Sequence, residues 1–196
     1  MPVTINGTTG VVTPGATIGS INGILKSSSG VVSQAVAGSD YGKLTLATAQ
    51  TASGTAVDFT GIPSWAKRIT IMFSGISTTG NSDYLLRVGS GSFLTSGYVS
   101  SATSASSAGT QAGTLTTGIA LTIVQIAASS ISGIAVINNI NSNNWVSSSI
   151  LTRADGVSFT GSGISPSLSG SLDRIRLTTV NGTDTFDAGT INISYE

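Results

Sequence analysis

The sequence predicts an all-β protein: an antiparallel β-sandwich, jelly-roll-like, preceded by an extended N-terminal segment. Three observations carry that expectation. Residues stiff at χ1 are abundant, with 20 Ile and 27 Thr, and such residues favour a pleated strand over a helix. Apolar and polar residues alternate with period two in several windows. Clusters of Gly, Ser and Asn cut the chain at short intervals, as in a sandwich or barrel, whereas Ala and Leu never recur at helical spacing with capping signals.

The elements follow in chain order. Residues 1–43 contain no aromatic side chain before Tyr41 and carry short apolar pairs, Val11-Val12, Ile24-Leu25 and Val31-Val32. Turn formers separate the pairs: Asn6-Gly7, Pro14-Gly15, Asn22-Gly23 and Gly38-Ser39. Such pairs cannot build a core alone but can bury themselves against identical copies. The segment therefore reads as an attachment or stalk piece, or as a loose arm. From Leu44 to Glu196 the pattern is that of a compact β-domain. Ile69, Ile71 and Phe73 alternate with Thr70 and Met72, and Tyr84, Leu86 and Val88 with Leu85 and Arg87. Residues 100–113, almost all Ser, Ala, Thr and Gly, read as a long loop or an irregular strand. Apolar runs at 119–126, 134–137, 145–151 and 156–159 add further strands. Between Leu177 and Phe186 lies Asn181-Gly182, the pair that favours a tight hairpin turn, and Ile191, Ile193 and Tyr195 alternate to the end.

Composition narrows function. The chain has eight basic and eight acidic residues among 196, no His and no Cys. Ser-His-Asp and Cys-His machinery, structural zinc and iron–sulfur ligation are thereby excluded in their usual forms. A net charge of zero leaves no electrostatic footprint for nucleic acid. The longest apolar window, residues 119–128, is interrupted by Thr122 and Gln125. It falls short of the roughly 18 residues a membrane span needs, so no membrane insertion is expected. With Lys26 as the first basic residue, no charged region precedes an apolar stretch. The expected site of synthesis is the cytosol, with any release by lysis.

Chemical motifs are few. The run from Gly38 to Lys43 has three residues between its glycines, and Leu44 stands where a phosphate loop needs a hydroxyl. Gly89-x-Gly91 and Gly161-x-Gly163 lack the third glycine of a dinucleotide fingerprint. Seven Asp and Glu196 are scattered, which leaves polysaccharide cleavage by paired acids a minor possibility. Asp184 and Asp187 lie near a Gly-containing turn that offers carboxylates to Ca²⁺, though without EF-hand spacing. Asp173, Arg174 and Arg176 form the densest charge cluster, either a solvated face or a set of ion pairs across a subunit interface. Trp65, after Pro63, is expected at the core edge or a subunit contact. Trp145, with Asn143 and Asn144 in an amide-rich run, is the candidate glycan contact, because an aromatic face stacks on a sugar ring while amides bond its hydroxyls. The alternative is a buried Trp beside a turn.

Two stretches resemble a known family. Residues 23–41 follow the pattern G-x-L-K-x-x-x-G-x-x-x-x-A-V-A-G-x-D-Y, from Gly23 through Leu25, Lys26, Gly30 and Ala35 to Asp40 and Tyr41. Residues 57–70 read V-D-F-T-G-I-P-S-W-A-K-R-I-T. Both resemble segments of tail-fibre and virion fibre proteins of tailed bacteriophages, and the likeness covers about residues 23–41 and 55–98. It implies a homotrimer, with residues 1–43 attaching to another virion protein and residues 44–196 forming a distal domain that contacts a bacterial surface glycan or protein receptor. The implied role is a non-enzymatic short tail (baseplate) fibre without cofactor or metal, located in the virion. The shortness of the chain keeps a head fibre or capsid decoration (cement) protein open as the alternative.

Overall fold

The computed structural model describes residues 23–29, 31–36, 40–141 and 143–196. The turns expected around residues 7, 15 and 38–39, and the pair Val11-Val12, lie outside the described residues. The chain divides into two units, 1–41 and 42–196, two residues before the boundary expected after residue 43. In the first unit, β1 (Leu25–Ser28) and β2 (Val31–Gln34) form an antiparallel hairpin. Lys26 pairs with Asp40 at 2.9 Å, and the Val36 amide donates to the same carboxylate at 2.7 Å. Ile24, Leu25, Val31, Val32 and Val36 are all exposed in this unit, which is too small to bury them.

The second unit is built wholly of antiparallel strands. In chain order they are β3 (Thr45–Leu46), β4 (Gln50–Thr51), β5 (Ala56–Thr60), β6 (Arg68–Thr78), β7 (Tyr84–Ser90) and β8 (Ser92–Phe93). Then come β9 (Val99–Ser106), β10 (Gly109–Leu115), β11 (Ile119–Ala120), β12 (Ile131–Asn141) and β13 (Asn144–Arg153). The last three are β14 (Ser158–Ile164), β15 (Arg174–Thr179) and β16 (Phe186–Tyr195). The larger sheet has the order β10-β9-β14-β13-β12-β6-β16-β3, with β4 also on β16; the smaller runs β11-β7-β15-β5, with β8 on β7.

The two sheets share one apolar core. Ile69, Ile71 and Phe73 of β6, Ile137 of β12, Phe159 of β14 and Ile191 and Ile193 of β16 belong to the same cluster as Val57, Tyr84, Leu86, Val88, Ile175 and Leu177 of the smaller sheet. The period-two windows set this arrangement, since alternate side chains leave opposite faces of a strand. Full burial of each such side chain contributes about 1.5–3 kcal/mol before conformational entropy is counted.

Several local expectations are corrected. Residues 100–113 are neither a loop nor one irregular strand but most of the hairpin β9–β10, registered from Ser106 opposite Gly109 to Ser100 opposite Leu115. Its inward residues Ser100, Ala102 and Ser104 are small because the sheets converge here. The Ser100 hydroxyl bonds Leu115, Gly118 and Ala120, and a Cβ on Gly161 would lie 2.5 Å from the Ala120 carbonyl. Asn181-Gly182 does not close a two-residue hairpin, for β15 and β16 belong to different sheets. The Asn181 side chain instead organises a longer crossing, accepting from the amides of Thr183 and Asp184. Of residues 119–126 only Ile119–Ala120 is strand; the rest folds into an irregular segment.

Candidate functional site

A cleft of about 450 Å³ lies between the β9–β10 hairpin, the segment after β11 and the junction of β13 with β14. Ser104, Ser106, Thr110 and Gln111 line one side, with Val124, Gln125, Ile126, Arg153 and Val157 among the residues on the other. It is a recess of hydroxyls and amides, with apolar residues beside them and one guanidinium.

The segment after β11 has an unusual backbone. Val124 and Ala128 have φ of 55° and 57°, left-handed values that cost a non-glycine residue roughly 1–2 kcal/mol each. Many hydrogen bonds hold it there. Tyr84 donates its amide to Thr122 Oγ1 at 2.8 Å, Gln125 its amide to Asp83 Oδ1 at 2.9 Å, and Ala127 its amide to Asn81 Oδ1 at 2.6 Å. Burial raises the Asp83 pKa above the usual value, against the amides of Gln125 and Val124 that favour its charged form.

Arg153 ends β13 on its inward side, and only 5% of its side chain is exposed. Nε and Nη2 donate to the two oxygens of Asp155, each at 2.9 Å, and Nη1 donates to the Val124 carbonyl at 2.6 Å. The guanidinium also lies 5.6 Å from the centre of the Phe159 ring. The hydrogen-bonded Arg153 lowers the Asp155 pKa. Gln125 is buried; its Nε2 lies 3.2 Å from Tyr84 Oη and from the carbonyls of Ile126 and Ser129, while its Oε1 has no protein partner.

The residues singled out from sequence lie elsewhere. Trp145 is 2% exposed and part of the core, so its ring offers no face to a sugar, and the expected stacking contact is corrected to a core position. Period two explains this: Trp145 shares its parity with Leu151, which points inward. Asn143 and Asn144 are half-buried, the first giving its carbonyl to Leu168 and the second to Asn139. They flank the start of β13, about 30 Å by strand rise from Arg153 at its end.

Trp65 is half-buried at the core edge, 5.6 Å from the Tyr195 ring. Arg176 grips Asp58 with two bonds of 2.7 Å, and Arg174 bonds Asp173 at 2.7 and 3.2 Å. Both guanidiniums flank Phe93, at 4.3 and 5.7 Å from the ring centre. Within the single chain, therefore, each already has a carboxylate. Asp184 is engaged by the Ser82 amide and Asn181, Asp187 by the Ser77 hydroxyl, and no group of three metal-ligating residues occurs among the described residues.

Sequence reading missed the cleft, although a signal was present. Between Arg87 and Asp173 the only charged residues are Arg153 and Asp155, and Arg153 falls on the inward parity of its strand. A lone charge on a buried parity marks either a structural ion pair or a site.

The outer face of the larger sheet is the second notable surface. Ile134 sits opposite both Met72 and Ile150, and Val136 opposite Thr70 and Ser148. Ile134 and Ile150 are 47% and 65% exposed, in a setting of Ser and Thr. No family model matches the chain, and no curated protein or solved structure is similar to it.

Proposed function

We propose that the chain is a non-enzymatic virion protein of a tailed bacteriophage, a short tail fibre whose β-domain binds a polymer of the host surface in the cleft at Arg153. One observation carries the binding role: hydroxyl- and amide-bearing residues and the buried Arg153 line the same recess as the apolar Val124, Ile126 and Val157. This mixture orients a neutral sugar through hydrogen bonds while burying its C–H faces. The resemblance of residues 23–41 and 55–98 supports the phage assignment, with residues 1–43 attaching to another virion protein and the assembled particle leaving by lysis.

A jelly-roll reading is supported by strand order. Taking β5, β6, β7, β9, β10, β11, the meander β12–β13–β14 and β15 as eight successive strands, the smaller sheet runs first, eighth, third, sixth. The larger then contains second, seventh, fourth, fifth, with β16, β3 and β4 added beside the second. Double-sheet jelly rolls recur in viral capsid and lectin domains. A homotrimer is favoured by the exposed apolar residues of the β1–β2 hairpin, which identical copies would cover, and it would multiply weak single-site affinity. Five of the eight acids are paired with basic residues, which disfavours a polysaccharide-cleaving role.

The second reading, a head fibre or capsid decoration protein, is favoured by the exposed apolar side chains of Ile134 and Ile150, paired on the outer face of the larger sheet, which protein contact would cover. An antibody to residues 44–196 applied to intact particles separates the two. Label at the tail tip is expected; label confined to the head would retire the tail-fibre reading.

A further inference from the structure

We propose that the outer face of the larger sheet is the place where two copies of this chain meet, face to face across a two-fold axis. The inference goes beyond the fibre reading, and it uses other side chains than those of the β1–β2 hairpin. Charge is the first argument. The neighbouring strands β12, β13, β14, β9 and β10 contain a single charged residue, Arg153, and it lies inward. On β6 only Arg68 is charged; it stands at the first position, where Glu196 pairs with it. A strongly charged partner finds nothing to pair with on such a face. An identical face laid upon it buries no ion and opposes no like charges, so the desolvation penalty of a buried charge does not arise.

Shape is the second argument. Met72, Ile134 and Ile150 lie in one cross-strand row on β6, β12 and β13. Hydroxyls border the row, Thr70 and Ser148 along one side and Thr160 beyond Ile150. An apolar centre with a polar rim is the anatomy of a protein interface. Ile134, Val136, Ser148, Ser149 and Ile150 enclose a dimple of about 110 Å³. Pockets for small molecules run from about 300 to about 1,000 Å³, so this one is too small to hold such a ligand. At about 30 Å³ for each water-sized group it admits three or four heavy atoms, and an isoleucine side chain has four. Ile150, on the rim of the dimple and 65% exposed, is a side chain of that size. A two-fold axis sets the Ile150 of each copy into the dimple of the other, and this self-complementarity is what an isologous contact requires.

The area suffices. From β16 to β10 the face crosses seven strands, about 29 Å at the usual strand spacing, and seven residues along each strand add about 23 Å. The face therefore offers about 650 Å² per copy, or about 1,300 Å² for the pair, against the roughly 1,200–2,000 Å² of specific, stable interfaces. Two sheets so packed lie about 10 Å apart with their side chains interleaved, as inside a sandwich.

The test is the mass of the full chain in solution, by sedimentation and light scattering. An even number of chains is expected, whether or not the β1–β2 hairpin also gathers them in threes. Ile150→Asp should halve that number, weakening the pair by about a hundredfold or more because two carboxylates are buried without partners. Thr60→Asp, at an exposed position of β5 on the other sheet, should leave the mass unchanged. Circular dichroism confirms that each variant is folded. A second variant needs no loss of contact: the chain has no cysteine, so Ile150→Cys carries one thiol, and a short bis-maleimide should link copies in pairs through it. A wild-type mass of one or three chains at about 100 μM, where a pair with Kd of that order is half formed, would overturn the pairing and return this face to the capsid contact of the second reading. An Ile150→Asp mass equal to wild type, or no cross-link through Ile150→Cys, would overturn it as well.

Discussion

Tyr98→Phe is a test of how the smaller sheet ends. Tyr98 is 1% exposed, and its hydroxyl takes the place of a missing ladder bond. Leu94 donates its amide to the Val88 carbonyl at 3.0 Å, but the reciprocal bond is absent. The Val88 amide instead donates 2.9 Å to the Tyr98 hydroxyl, which lies 3.2 Å from the Leu94 carbonyl. Phenylalanine keeps the ring and its packing and removes only this bridge. The buried Val88 N–H is then left without a partner, at a cost of about 1–3 kcal/mol. Taking about 2 kcal/mol, and about 2–4 °C per kcal/mol for a unit of this size, Tm should fall by roughly 4–8 °C. Calorimetry and urea unfolding measure the loss, and hydrogen exchange should show the Val88 amide losing protection. A loss below about 0.5 kcal/mol with Val88 still protected would mean that the backbone closes the rung unaided, refuting the bridging role.

Two further outcomes follow from positions already described. Gly133 sits at a register shift between β12 and β6 with φ of 143°, and a Cβ there would lie 2.3 Å from the Ile150 carbonyl. Gly133→Ala should therefore cost about 2 kcal/mol or more, read as a lower urea midpoint, whereas a neutral result would show that the bulge relaxes freely. Asp83→Asn tests the raised carboxyl. Because the folded chain binds that proton more tightly than the unfolded chain, its contribution is fully present below the ordinary Asp value near pH 4 and is lost as pH rises through the raised value. The Tm of the Asn variant relative to wild type should thus be more favourable at pH 7 than at pH 4, and a pH-independent difference would dispose of the desolvation account.

What the sequence discloses depends on whether chemistry alternates along a strand. Around Ile69–Phe73 and Ile191–Ile193 one face is apolar and the other polar, so both the strands and their inward residues are legible. In β9 the inward Ser100, Ala102 and Ser104 differ little in hydropathy from the outward Ser101 and Thr103, so no alternation marks the strand. Asn181-Gly182 announces a turn correctly, but whether the chain returns to the same sheet is set by packing more than a hundred residues away, as in the pairing of Asp58 with Arg176. Trp145 misled because its amide neighbours resemble a binding surface, although its parity with Leu151 already placed it inward. The cleft was hidden for another reason: Gln125 and Arg153 are 28 positions apart and line one cleft, where Arg153 bonds the carbonyl of the left-handed Val124.

The position of β16 bears on how such a chain folds. Residues 186–195 lie inside the larger sheet, between β6 and the short strands β3 and β4, rather than along its rim. A nascent chain that has not yet delivered them holds β6 with one side unpaired and Ile71 and Phe73 without Ile191 and Ile193 beside them. Folding must therefore wait for contacts between distant parts of the chain, the slow regime of high contact order, and the unfinished sheet carries an open edge prone to pairing with its neighbours. Many copies made at once in one cell would face that hazard together. Late closure by β16 thus makes cellular yield sensitive to chaperones and temperature, even for substitutions that leave the finished fold equally stable.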